Sequence, residues 1–218
     1  MRESREDLRR RARRVMAILA RTYPEAGCAL ERTSALDLLV ATILSAQCTD
    51  ERVNRVTKDL FKRYRRAEDY ARAPQAVLER EVRSTGFFRN KARNIREACR
   101  LLVERHGGRV PGTMEELLEL PGVARKTANV VLGTWFGKAE GVVVDTHVFR
   151  LSRRLGWSRA KDPAGVERDL VALFPKDEWI LLSHRLIHHG RALCRALRPD
   201  CARCPLAKLC PSAVQEEK

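Results

Sequence analysis

Four cysteines near the end of the chain, Cys194, Cys201, Cys204 and Cys210, follow the pattern C-x6-C-x2-C-x5-C, and Pro199, Pro205 and Pro211 stiffen the loops around them. Such spacing serves tetrahedral coordination by thiolates, and it admits zinc and iron-sulfur alike. The common ferredoxin spacings differ from this one. Cys28, Cys48 and Cys99 have no such company and read as small buried residues. His184 and His188 stand four apart, as a helical metal pair would. They lack a third ligand, so packing or contact with a partner explains them better.

A second constellation could do covalent chemistry. An amine attacks carbon only when deprotonated, so a catalytic lysine needs its usual pKa of about 10.4 lowered by desolvation and a neighbour to take its proton. Lys126 opens a helix, where an isolated lysine is ordinarily a solvated charge. Further on, the apolar run Gly141-Val142-Val143-Val144 leads into Asp145-Thr146-His147-Val148. Asp145 caps the helix that begins there. Capping does not prevent the carboxylate from doing acid-base work.

These groups need elements to position them. Almost every segment shows the three-four apolar spacing of a helix, and no strict alternation is long enough for a sheet, so the fold class is all-α. Ser34 and Asp37 open a helix with Leu36, Leu39, Val40, Ile43 and Leu44 on its apolar face, ending near Gln47. Asp50 is expected to cap the next helix, with Val53, Val56 and Leu60 inward, and Pro74 to begin another that runs through Val82. Ala92, Ile95, Cys99, Leu102 and Val103 form a stripe closed by His106-Gly107-Gly108 as a glycine C-cap. Thr113 and Glu116 box a short helix, Met114 to Leu120, and the chain turns at Pro121-Gly122. Arg125 restarts it with Ala128, Val131, Leu132 and Trp135 on one side. The first amides of that second helix are open to a phosphate. After a stripe of Val166, Leu170 and Phe174, the segment from Glu178 to His189 is apolar nearly all round and is expected to be buried.

The chain carries 43 Lys and Arg against 28 Asp and Glu, a net charge of +15 that favours a polyanion. Basic chains bind nucleic acid by releasing counterions from its phosphates, and an anionic membrane surface attracts them too. No apolar run approaches a membrane span, and Met1 to Arg14 shows no secretory h-region, so a reducing cytoplasm is expected. Seven cysteines, an odd number, fit metal ligation there better than disulfides.

The string Leu120-Pro121-Gly122-Val123-Ala124-Arg125-Lys126-Thr127-Ala128 resembles the helix-hairpin-helix of the endonuclease III family. So do Val144-Asp145-Thr146-His147, Leu44-Ser45-Ala46-Gln47 with Thr49-Asp50, and the four-cysteine loop. The likeness spans about Ser34 to Cys210, with Ala124 where the family usually has a second glycine, which bears on how closely backbone approaches phosphate. It implies a two-domain helix-hairpin-helix DNA glycosylase fold. A six-helix domain over 28–138, with the hairpin at about 113–137, would be inserted into an iron-sulfur cluster domain made of 1–27 and 139–218.

The implied activity is that of a bifunctional base-excision repair enzyme. It removes oxidised pyrimidines from duplex DNA and cleaves abasic sites by β-elimination through a lysine Schiff base. Lys126 would be the nucleophile and Asp145 its assisting acid, with a 4Fe-4S cluster on the four clustered cysteines. DNA contacts would come from Gln47, Thr85, Gly86, Phe87, Gly122, Ala124, Arg125 and His147, where Gln47 and the Thr85-Gly86-Phe87 turn fill the gap left by an extruded nucleotide. The expected partner is double-stranded DNA with damaged bases or abasic sites, bound by a monomer at a bacterial-type nucleoid. A monofunctional mismatch glycosylase would lack Lys126, and its adenine-specific kind needs a glutamate where Ser34 to Gln47 offers only Asp37. A non-enzymatic DNA-binding protein with a zinc knuckle would leave Asp145 without a role.

Overall fold

The computed structural model describes residues 3–213, all helical and connecting segments with no strand among the described residues. The chain divides into two compact units, one from Ala29 to Glu140 and one made of Met1–Cys28 with Gly141–Lys218.

The continuous unit is built around one short helix. After α1 (Arg5–Thr22) of the other unit come α2 (Ala35–Leu44), α3 (Asp50–Arg63), α4 (Ala67–Arg72), α5 (Gln75–Val82), α6 (Phe88–His106), α7 (Met114–Leu118) and α8 (Arg125–Phe136). Helix α2 packs against α3, α6 and α8. It is therefore buried all round, Leu38 and Ala41 as completely as Leu39 and Leu44, where periodicity had singled out one face. Helices wholly enclosed by neighbours carry no polar stripe. Thr42 is tolerated because its hydroxyl donates to Leu38 O at 2.6 Å.

Local caps follow the sequence closely. The Ser34 hydroxyl accepts from Asp37 N at 3.0 Å, and the long helix α6 ends with Gly107 at φ 58° and Gly108 N bonded to Leu102 O. One cap shifts by a residue: Thr49, not Asp50, is the N-cap of α3, and its hydroxyl accepts from Arg52 N. Asp50 falls in the first turn, where its charge suits the helix dipole.

In the discontinuous unit, α1 joins α9 (Thr146–Arg154), α10 (Pro163–Leu173) and α11 (Trp179–Ala192). Val15, Leu19, Val148, Leu151, Leu170, Leu182 and Leu186 form its core, and Trp157 meets Phe174 edge-on at 4.9 Å between ring centroids. Arg11 ties the N-terminal helix to the C-terminal segment by donating to Leu155 O and Leu209 O. Helix α11 is buried along Leu182, Ser183, Leu186, His189 and Gly190 only; Leu181 is 40% exposed. Its apolar composition thus overstated its burial, because α1 and α9 cover one side of it.

Candidate active site

The hairpin places Lys126. Helix α7 stops at Leu118, the turn closes with Val123 N on Leu120 O, and Leu117, Leu120 and Val123 are buried beneath it. Gly122 has φ +81°, and a Cβ there would meet Asn94 at 2.9 Å, so this glycine is required twice over. Ala124 has φ −93° and is the N-cap of α8, a conformation open to any residue. Its backbone does not need the family's second glycine. No side chain caps α8, and Arg125 and Lys126 in its first turn are both exposed. Arg125 also donates to Glu140 O at 3.2 Å. Trp135, expected inward with Leu132, is instead 43% exposed, because the packed face runs through Ala128, Asn129, Val131 and Leu132.

Asp145, in the other unit, is half-buried and caps α9 as expected: its Oδ1 accepts from both His147 N and Val148 N at 2.8 Å. Its second oxygen stands outside the cap. His147 is held below the usual histidine range by burial, with Arg150 and Arg191 adding to the effect and Asp145 opposing it. Its ring packs on Gly190, where a Cβ would come within 2.8 Å of Nδ1, so α9 and α11 touch through this glycine. Arg150 fastens the same junction by donating to His147 Nδ1, Gly190 O and Cys194 O.

Gln47 and the Thr85-Gly86-Phe87 turn, expected as a wedge that fills the gap left by an extruded nucleotide, lie in the continuous unit. Gln47 and Phe87 are both exposed, Phe87 by 64%, and both have positive φ. Gly86, at φ 70°, has open space around it. Thr85 departs from the expected contact surface: it is 2% exposed and its hydroxyl donates to Val82 O at 2.8 Å. The side chain supports the turn from below.

The four clustered cysteines are half-buried and line one small cavity together with His189, Arg154, Leu151, Leu155 and Leu206. Successive tight turns, Cys204 N to Cys201 O, Ala207 N to Cys204 O and Cys210 N to Ala207 O, bring them there. Burial raises the thiols of Cys204 and Cys210, and their neighbouring cysteines raise them further. Thiols give up their protons when they ligate a metal. Among the described residues no three His, Cys, Asp or Glu side chains converge on a single ion. Four sulfurs around a shared cavity are the donor set that a 4Fe-4S cluster takes, one at each corner. Two side chains also reach these sulfurs: Arg154 donates to Cys194 Sγ at 3.2 Å, and His189 Nε2 lies 3.4 Å from Cys204 Sγ. His189 is 1% exposed, its pKa is driven down to about 4 by burial, and its Nδ1 is 3.0 Å from the Tyr23 hydroxyl. Neutral imidazole satisfies both contacts if Tyr23 donates to Nδ1 and Nε2–H points at sulfur.

The sequence profile of the HhH-GPD superfamily base excision DNA repair protein matches residues 40–176. Endonuclease III of Synechocystis sp. is 56% identical over 205 residues, covering 94% of each chain, and that of Bacillus subtilis is 47% identical, covering 90% of each. The chain belongs to the endonuclease III family. A solved structure of a trapped endonuclease III-DNA covalent intermediate superimposes with a TM-score of 0.89 at 45% identity, covering 94% of this chain and 96% of that one. The fold reaches further, to a thermostable thymine-DNA glycosylase at 23% identity and a TM-score of 0.81. Within the endonuclease III frame, several supporting residues escaped the sequence reading: Lys91, Asn94, Arg154 and His189. For Lys91 a signal existed, since it falls on the apolar stripe of α6 with Ala92, Ile95 and Leu102, where a lysine has no solvent to reach. The others are silent until the fold brings them to Gly122, Cys194 and Cys204.

Of the remaining cysteines, Cys99 is buried, with its thiol pushed up to about 12, but Cys28 and Cys48 are only half-buried. No helix among the described residues is long and apolar enough to cross a membrane. His188 packs near Tyr23, with 6.1 Å between ring centroids, as a packing role requires.

Proposed function

We propose that this member of the endonuclease III family excises oxidised pyrimidines from duplex DNA and then cleaves the abasic strand, with Lys126 as nucleophile and Asp145 as its assisting acid. The observation that carries the assignment is Lys126 itself, exposed on the first turn of α8 directly behind an uncapped hairpin turn. Helix amides and turn backbone hold phosphates without reading sequence, which suits an enzyme that must pass along undamaged DNA. An exposed lysine is not desolvated by its own unit, so the bound nucleotide must exclude water around it. The trapped complex of a 45% identical relative supports the covalent route.

The reaction begins with the damaged nucleotide turned out of the stack. The Lys126 amine, having lost a proton, attacks C1′ as the bond from C1′ to the base breaks, and the base leaves with the bonding pair and takes up a proton. Ring opening yields a protonated Schiff base between Nζ and C1′. Loss of a C2′ proton then expels the 3′ phosphate by β-elimination, and water releases the amine. Asp145, through the carboxylate oxygen outside its helix cap, accepts a proton from Lys126 and stabilises positive charge on the sugar.

The four clustered cysteines would hold a 4Fe-4S cluster that supplies structural cohesion to the loop. Arg198, Arg203 and Lys208 beside it offer cations to phosphate. Double-stranded DNA with damaged or abasic sites is the partner, met by a monomer in the cytoplasm at the nucleoid. Borohydride trapping on an abasic duplex tests the assignment. Wild type is expected to become covalently linked and Lys126→Gln to bind without linkage; undiminished trapping by Lys126→Gln would overturn it.

A further inference from the structure

Lys91 is 4% exposed, a rare state for a lysine. Its ammonium donates to Leu44 O at 2.8 Å and to Thr85 O at 2.7 Å, and burial lowers its pKa. The two acceptors have a common character. Leu44 is the last residue of α2, and Thr85 is the last of the 3-10 turn Arg83–Thr85. Terminal helix carbonyls lack intrahelical partners and carry the negative end of the helix dipole. One buried cation therefore bridges two helix C-termini.

The residues just beyond each terminus give the bridge its meaning. Three residues past Leu44 stands Gln47, at φ 52°; two residues past Thr85 stands Phe87, at φ 46°. Among the described residues these are the non-glycine positions with positive φ, and both side chains are exposed. Left-handed backbone is unfavourable at such residues and persists where the surroundings over-determine it. The ammonium supplies that determination at a point common to both loops.

We propose that Lys91 is a positioning residue that clamps the Gln47 and Phe87 loops together, so that the two side chains enter DNA as one rigid pair. This rests on the wedge reading of Gln47 and Phe87. A duplex must be opened against its stacking energy, and a loop free to recede would yield instead of the base step. Single-stranded abasic DNA has no stack to open.

The test compares cleavage of an abasic site in duplex and in single-stranded DNA. Lys91→Met keeps the apolar stem and removes the charge. It is expected to lower duplex cleavage about tenfold, as for losing charge-assisted hydrogen bonds, and single-strand cleavage less than about twofold. Placed in a Gln47→Ala/Phe87→Ala background, Lys91→Met should cost less than about twofold on either substrate, since the parts it positions are gone. Equal losses on both substrates, or a full additional loss in that background, would overturn the clamp. If Gln47→Ala/Phe87→Ala shows duplex-selective loss and Lys91→Met shows none, the clamp fails while the wedge reading stands. If neither shows it, the wedge reading fails and takes the clamp with it. Should Lys91→Met not fold, Lys91→Arg serves: it keeps a cation but not the compact ammonium geometry, and must show the same duplex-selective loss, an unchanged ratio overturning the proposal.

Discussion

Gln47 and Phe87 share a backbone state, left-handed φ of 52° and 46°, at the ends of two loops whose preceding carbonyls meet on the Lys91 ammonium. Stability and function should pull apart there. Gln47→Ala keeps the unfavourable φ and loses the amide, whereas Gln47→Gly loses the amide and relieves the backbone by about 1 kcal/mol. Gln47→Gly is therefore expected to melt roughly 2–4 °C above Gln47→Ala. Both should lose base release from paired lesions to the same degree. Calorimetry beside a duplex assay checks this, and equal melting temperatures would remove the strain argument.

How much of the fold and site is legible in the sequence depends on whether the cause is local. Ser34, Thr113 and Gly107 can be read as caps because a hydroxyl or a glycine at the right offset acts within a few residues. The cysteine loop is legible for the same reason, its ligands lying close along the chain. The full enclosure of α2 is not, since it depends on α3, α6 and α8 arriving from elsewhere, and neither is the exposure of Trp135. Thr85 illustrates the limit within the site: its string matches a contact loop, yet the turn folds its hydroxyl back onto Val82 O. Lys126 and Asp145 stand out by string and chemistry, and only the local surroundings of each, an uncapped helix start and a doubly used cap oxygen, come from the fold.

The sulfur contact of His189 gives a prediction about the four-cysteine loop. With a 4Fe-4S cluster bound, Tyr23→Phe removes the hydroxyl that fixes the imidazole, so the contact from Nε2 to Cys204 Sγ loses its orientation. Removing a group that orients a metal site's ligands typically costs tenfold or more in affinity. Iron should therefore be lost to a chelator roughly tenfold faster than from wild type. Cys201→Ser should abolish visible absorption altogether. Release of iron at the wild-type rate from Tyr23→Phe would leave the tyrosine contact without consequence.

The hairpin predicts a division of labour between adjacent cations. Arg125 and Lys126 are both exposed, but the family resemblance offers only Arg125 as a DNA contact, and a guanidinium there would meet phosphate. Each phosphate neutralised contributes about 0.9 to the slope of log affinity against log salt. Arg125→Ala should shallow that slope by about one on undamaged duplex, while Lys126→Gln leaves it within a few tenths. Titrations across a salt series decide the matter, and a Lys126→Gln slope reduced as much as that of Arg125→Ala would make the lysine a phosphate ligand.

On the proposed mechanism Asp145 carries two duties on one carboxylate, and they can be separated. Its Oδ1 accepts from His147 N and Val148 N, a capping pattern that an asparagine oxygen reproduces. Asp145→Asn should therefore fold and melt close to wild type, whereas Asp145→Ala should lose about 1–2 kcal/mol, the cost of an N-cap. Chemistry should not follow that order. Both variants lack the anion proposed to take the lysine proton and offset charge on the sugar, so both should release base at least about a hundredfold more slowly. The decisive comparison is between substrates. An abasic sugar already presents an aldehyde and has no base to expel, so strand cleavage at a preformed abasic site should fall much less than base release in Asp145→Asn. If base release instead tracked melting temperature, near normal in the asparagine variant and low in the alanine one, the carboxylate would be a cap alone and the proton would have to leave Lys126 by another route.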